Sequence, residues 1–147
     1  MKIEFFASGD PKGQPRVKAS RRGKFVHIYT PKIADEWKLE VATAFALYRD
    51  QVPAEYTGIE VHIAAYFRRP QSHYGTGKNA LIVKDAAPNN HASKPDCDNV
   101  AKAILDALTT AGAWTDDAEV TTLAIIKRWS KTPGAQIRIT YEEPSHD

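Results

Sequence analysis

The sequence has only one cysteine, Cys97, so no disulfide can form within the chain. A reducing, cytoplasmic setting is the natural expectation. No apolar run approaches the ~18 residues that a membrane-crossing helix requires. The opening Met1-Lys2-Ile3-Glu4 turns polar by Ser8-Gly9-Asp10, too early for the apolar stretch of a secretory signal. None of the five histidines falls in an H-x-x-x-H or H-E-x-x-H arrangement, which disfavours a zinc protease. G-x-S-x-G is absent, and Gly75-Thr76-Gly77-Lys78 is only a fragment of a phosphate-binding loop. There are no internal repeats. Hydrophobic residues make up 42% and charged residues 26%, fractions that exclude wholesale disorder and collagen-like sequence. The 147 residues suffice for one domain with a core that needs no staples, and 1–147 is expected to be a single unit.

The net charge of +2 conceals an asymmetry. Residues 1–32 hold eight basic and two acidic side chains, a formal +6, and the remainder holds twelve basic and sixteen acidic, a formal −4. The basic residues concentrate in a segment of about 10–24, with Arg16, Lys18, Arg21, Arg22 and Lys24. A basic arm beside an acidic body suits a protein that grips a polyanion with one part and acts with another. A solvated basic loop without a ligand has the same composition.

Residues 2–7 and 25–29 read as strands, with Gly9-Asp10-Pro11-Lys12-Gly13 ending the first and residues 14–23 polar and basic. Thr30-Pro31 has the form of a helix start, and Ala34, Trp37, Val41, Ala44, Phe45 and Tyr48 keep helical spacing, so a helix is expected to about Arg49. Residues 59–68 read as a strand. A polar stretch of about 71–93 follows, long for a structureless loop in a compact domain. It reads either as a functional loop or as a disordered insertion. A second helix is expected over 99–111, stopped by Gly112, and then strands over 118–129 and 135–141. The order β-β-α-β-loop-α-β-β predicts an α+β domain, a mixed sheet of about four to five strands with two main helices on one face.

The chemistry is concentrated in Lys94-Pro95-Asp96-Cys97-Asp98-Asn99 and the helix after it. In an extended Asp96-Cys97-Asp98 the two carboxylates point one way and Cys97 the other. Cys97 has no base partner nearby in sequence and reads as a small buried residue and not as a nucleophile. Paired carboxylates repel unless a cation lies between them. Val100, Ile104 and Leu108 form the core stripe of the helix, so Asp98, Lys102 and Asp106 stack on its polar face. After Gly112 and Trp114 come Asp116-Asp117, which the doubling of the chain can return to the first pair. A cluster of three or four carboxylates with a lysine offers oxygen donors, suited to Mg²⁺ or Mn²⁺ and not to Zn²⁺. Carboxylate-held Mg²⁺ is a common means of phosphodiester hydrolysis. Each feature alone also has an ordinary structural reading. Asp98 can cap a helix, Asp116-Asp117 can form a turn, and Lys102–Asp106 can be a surface ion pair. Trp114 can pack beneath the aspartate turn or stack on a base.

The spacing Lys94-Pro95-Asp96-x-Asp98-Asn99-x-x-Lys102-Ala103-x-x-Asp106-Ala107-Leu108, followed by Gly112-x-Trp114-x-Asp116-Asp117-x-x-Val120, resembles the RusA family of Holliday junction resolvases. The resemblance is strong over about 94–120. Gly13-Gln14-Pro15-Arg16, the Pro31 region and the closing strands agree more loosely. It implies a RusA-like fold and a homodimeric, Mg²⁺- or Mn²⁺-dependent endodeoxyribonuclease that cuts four-way DNA junctions by paired nicks. It implies Asp96, Asp98 and Asp117 as essential metal-holding acids, Lys102 as the essential basic residue and Asp116 as a supporting carboxylate. Arg16, Lys18, Arg21, Arg22 and Lys24 are then expected to hold flanking phosphates. A two-fold enzyme suits the approximate two-fold symmetry of a four-way junction. The polar stretch of 71–93 departs from the shortest family members. A broader flap or fork nuclease and a non-catalytic junction-binding protein remain the alternatives.

Overall fold

The structure, a computed structural model, describes residues 1–145; His146 and Asp147 lie outside the described residues. The chain forms β1 (Lys2–Ser8), β2 (Lys18–Arg22), β3 (Phe25–Tyr29), α1 (Asp35–Ala46), β4 (Gly58–Arg68), α2 (Cys97–Ala111), β5 (Val120–Ser130) and β6 (Gly134–Glu142). It is the α+β architecture expected, with a mixed four-stranded sheet in the order β1-β6-β4-β5. β6 runs antiparallel to both β1 and β4, whereas β4 and β5 are parallel. A parallel pair cannot be joined by a tight turn, and α2 lies within the connection.

Alternation along the strands selects the buried face. Ile3 lies opposite Ile139 and Phe5 opposite Ile137, and on the other side of β6 the same two residues face Val61 and Ile63. All six are buried beneath the helices. α1 contributes Trp37, Val41 and Phe45 to this core, and α2 contributes Val100, Ile104 and Leu108. The two helices pack on each other, α1 also against β1 and α2 against β5.

Three elements differ from the sequence expectation. Strand 25–29 does not join the main sheet. It pairs with Lys18–Arg22, which the polar sequence disguised as a loop, to form a separate hairpin exposed along β3. Helix α1 begins at Asp35 and not at Thr30-Pro31. The chain turns at Ile33-Ala34, where fully buried Ala34 takes the N-cap position, and the helix ends at Ala46, with one 3₁₀ turn at Arg49–Gln51.

The polar stretch 71–93 is an ordered flap on β5. It contains 3₁₀ turns at Gln71–His73 and Gly77–Asn79. At its end, Asn89 O accepts from Trp129 N at 2.8 Å, and His91 N donates to Lys127 O at 3.1 Å. These bonds satisfy backbone groups that an edge strand would otherwise leave open. Arg69 anchors the flap by donating to Pro88 O at 2.8 Å and Asn89 Oδ1 at 3.1 Å.

His91 is buried, with its ring centroid 3.9 Å from that of Phe67 and 4.3 Å from that of Trp129. Burial, and secondarily the charge of Lys127, hold its pKa below the ordinary 6.5. The folded chain therefore binds a proton at His91 less readily than the unfolded chain. This contribution to stability is complete above pH 6.5 and is lost as pH falls through the lower, folded value. Thermal melts between pH 5 and 8 are expected to show Tm falling below pH 6.5, with a shallower fall in His91→Phe. Equal slopes would remove His91 as the cause.

Candidate active site

The site is built on the start of α2. Asp96 occupies the N-cap with extended backbone (φ −66°, ψ 156°), yet its carboxylate makes no capping hydrogen bond. Cys97 and Asp98 are already helical, so Asp96-Cys97-Asp98 does not alternate as an extended strand. Cys97 is exposed and not buried, because it sits on the outer side of the first turn. Asp96 and Asp98 are exposed carboxylates near the positive end of the helix dipole, which offsets part of their mutual repulsion. The N-cap reading for Asp98 fails, since Asp96 holds that position.

Gly112 returns the chain to this face. It adopts φ 89°, and its N–H and that of Ala113 close onto Thr109 O and Leu108 O at 3.2 and 3.0 Å. A side chain there would be strained by the backbone and would meet Arg49 Nε at 2.7 Å. Beyond the turn Trp114 is buried and donates from Nε1 to Thr109 Oγ1 at 2.7 Å, so it supports the aspartate turn. Asp116 Oδ1 accepts from Ala118 N at 2.8 Å and caps the 3₁₀ turn Asp117–Glu119.

That turn brings Asp117 to Lys102. Lys102 Nζ lies 2.9 Å from Asp106 Oδ1 and 3.4 Å from Asp117 Oδ2. Lys38 from α1 approaches Asp106 Oδ2 at 3.7 Å. The Lys102 side chain is 53% exposed, and an i,i+4 pair of this kind contributes only about 0.3–0.5 kcal/mol, so stability does not explain the arrangement. The hydrogen bond to Asp106 raises the Lys102 pKa most; burial opposes it next, and the Asp106 charge and the Asp117 contacts add to the rise. Lys102 is thus a fixed ammonium at neutral pH, suited to hold charge and unsuited to remove a proton.

The expected closed cluster of three or four carboxylates is not formed. Among the described residues, no three His, Cys, Asp or Glu side chains converge closely enough to hold a metal ion. Lys102 joins Asp117 to Asp106, while Asp96 lines a different cleft with Arg16 and Lys94. The donor set nevertheless fits a hard divalent cation in kind. Asp96 and Asp98 present exposed carboxylate oxygens, and Asp96 is not spent on its helix.

The segment leading to Asp96 is held from two sides. Lys127 on β5 donates to Ser93 O and Pro95 O, both at 2.7 Å. Gly13 presses from the other side: a Cβ there would lie 2.8 Å from Pro95 Cβ and 3.3 Å from Asn99 Cβ, and the next N–H, of Gln14, donates to Asn99 O at 2.9 Å. The basic arm is thereby anchored to the acidic motif. Arg16 shares the cleft with Asp96, but Lys18, Arg21, Arg22 and Lys24 stay exposed on the hairpin. Sequence reading missed Lys127, Gln14 and Lys38. The spacing along the chain carries no sign of Lys127 or Lys38, whereas Gly13-Gln14-Pro15-Arg16 at least marked the loop of Gln14.

A small mixed α+β fold with an acidic, lysine-bearing helix start, faced by a second pair of aspartates, is the class of protein defined by these features. The chain belongs to the RusA family: the family model described as Endodeoxyribonuclease RusA matches residues 8–140. Uncharacterized protein YqaN of Bacillus subtilis is 28% identical over 138 residues, covering 93% of this chain and 94% of that protein. The crossover junction endodeoxyribonucleases RusA of Escherichia coli K12 and of Enterobacteria phage 82 are 40% identical over 52 residues. Those matches span 35% of this chain and 42% of theirs. Membership in this family links the chain to junction-resolving nucleases. No helix among the described residues is long and apolar enough to cross a membrane.

Proposed function

We propose that this chain is a single-domain, homodimeric, Mg²⁺-dependent endonuclease that resolves four-way DNA junctions by paired symmetric nicks. The observation that carries the reading is the return of Asp117 to Lys102 beside the helix that Asp96 and Asp98 begin, in a chain of the RusA family. Asp96, Asp98 and Asp117 would hold Mg²⁺ or Mn²⁺, with Asp116 shaping the turn that carries Asp117. When bound, the ion would supply an activated water and offset charge on the scissile phosphate.

The chain's own residues set the geometry. Lys102 holds Asp117 in place through its ammonium and supplies positive charge beside the phosphate path. Lys127 fixes the peptide that carries Asp96. Arg16 grips phosphate next to Asp96, and Lys18, Arg21, Arg22 and Lys24 extend that grip along the exposed hairpin without reading sequence.

The deciding assay uses end-labelled four-way junction, flap and linear duplex with matched arms, in Mg²⁺, Mn²⁺, Ca²⁺ or EDTA. Paired nicks on the junction, lost in EDTA, are expected. Equal cutting of every branched form would replace the proposal with a broader branch nuclease, and binding without cutting in any metal would replace it with an architectural protein. For the hairpin, Arg21→Ala with Arg22→Ala is expected to weaken junction binding and flatten its dependence on salt by about two ions, measured as log Kd against log[salt]. An unchanged slope would take the hairpin out of the contact surface.

A further inference from the structure

One cleft has a construction that phosphate grip alone does not account for. It measures about 750 Å³ and adjoins Asp96. Its walls include Lys12, Arg16 and Lys94, together with Gln14 and Trp129. Among the described residues none of these three cations is in an ion pair, whereas Arg68, also in the wall, is engaged by Asp10 at 3.2 Å. Gln14 Oε1 is buried with no hydrogen-bond partner, an unusual state for an amide oxygen. The backbone of Gln14 is fixed by its bond to Asn99 O, and Gly13 is pressed on Pro95 and Asn99, while the side-chain torsions of Gln14 stay free to turn the unpaired oxygen into the cleft. Trp129 is held by its contacts with His91 and His73.

We propose that this cleft receives one unstacked nucleotide of the DNA strand being cut. Its base lies against Trp129 and donates an N–H to Gln14 Oε1, and its phosphates lie among Lys12, Arg16 and Lys94. The inference rests on the nuclease reading above and deepens it by naming the part of the substrate taken. A paired, stacked duplex offers neither a free ring face nor a free base edge to a recessed amide. Where the branch point is open, a flanking base pair has a stacking neighbour on one side only, so its nucleotides cost less to extrude than those within an arm. Asp96 in the same wall puts the captured nucleotide beside the acidic motif.

The test measures Kd of the full chain in Ca²⁺ for four-way junctions in which each branch-flanking nucleotide is replaced in turn by an abasic sugar. Cleavage of the intact junction in Mg²⁺ is measured alongside. At one position, loss of the base is expected to weaken wild-type binding about tenfold. Gln14→Ala is expected to bind the intact junction several-fold more weakly and to lose little more on the abasic one. Lys12→Ala, on an exposed side chain, is a second variant that keeps the test open should Gln14→Ala fold poorly; it should weaken both junctions equally. If no abasic position matters, or if wild type and Gln14→Ala lose equally, while the wild type still cuts the intact junction, the cleft inference is overturned and the nuclease reading stands. If the wild type neither binds nor cuts the junction, the nuclease reading itself has failed.

Discussion

Asp98→Asn is expected to abolish junction cleavage, by about a thousandfold or more, while leaving junction binding within about twofold. The substitution keeps the size and the helical position of an exposed residue in the first turn of α2, so it tests charge and not folding. Loss of a carboxylate that holds a catalytic ion removes several kcal/mol of transition-state stabilisation, and about 4 kcal/mol corresponds to a thousandfold. Asp106→Asn is the internal control. Asp106 receives the shorter Lys102 bond, 2.9 Å against 3.4 Å for Asp117, but it belongs to the neighbouring turn and is not among the proposed metal-holding acids. It should cost less than about tenfold, because Lys102 keeps Asp117 as a partner. Single-turnover cleavage of a labelled junction in Mg²⁺ measures both. Near wild-type rates in Asp98→Asn, or equal losses in the two variants, would contradict the assignment of Asp98.

Lys127→Met is expected to lower the cleavage rate about a hundredfold without a comparable loss of junction affinity. The Lys127 ammonium donates to Ser93 O and Pro95 O at 2.7 Å each, and the second of these carbonyls belongs to the peptide that carries Asp96. Hydrogen bonds from a charged donor contribute about 1.5–3 kcal/mol. Their larger consequence here is positional, since a displacement of about 1 Å in a reacting group can cost a hundredfold. Lys127→Arg, which keeps the charge and the donors, should recover most of the rate. His91 supplies a second readout. Lys127 is one of the causes that hold the His91 pKa down, so in Lys127→Met the His91 ring should titrate closer to 6.5, as followed by NMR. Full activity in Lys127→Met would mean that the Asp96 segment holds its position without this anchor.

The contrast between these two residues marks what could be read along the chain. Asp98 is visible because it repeats at four-residue spacing with Lys102 and Asp106 opposite an apolar stripe of Val100, Ile104 and Leu108. The Lys102–Asp106 pair and the Gly112 stop are local events, and both formed as the spacing indicated. Lys127 is a half-buried lysine in a strand, and its two carbonyl partners lie 34 and 32 residues away. Nothing in its neighbourhood announces them. The strand Lys18–Arg22 was hidden for a related reason. An exposed basic strand lacks apolar alternation, and only its pairing with Phe25–Tyr29 defines it.

The flap over residues 71–93 shows the same limit. Its composition allowed disorder or a loop, and what orders it is the open edge of β5, which accepts Asn89 and His91 into its hydrogen bonding. His91 itself is buried, and its pKa lowered, because the pairing of β4 with β5 brings Phe67 and Trp129 together against its ring. Local sequence therefore determined the helices, most of the strands, the acidic and basic residues and their order, since periodicity, capping and charge act over a few residues. Tertiary structure alone decided which carboxylate meets Lys102, which cations enter the cleft with Asp96, and which lysine braces the segment before it. The two lysines reach across 15, 32 and 34 positions of the chain, and these contacts exist only because the sheet register and the turn at Gly112 bring distant segments within a few ångströms of one another.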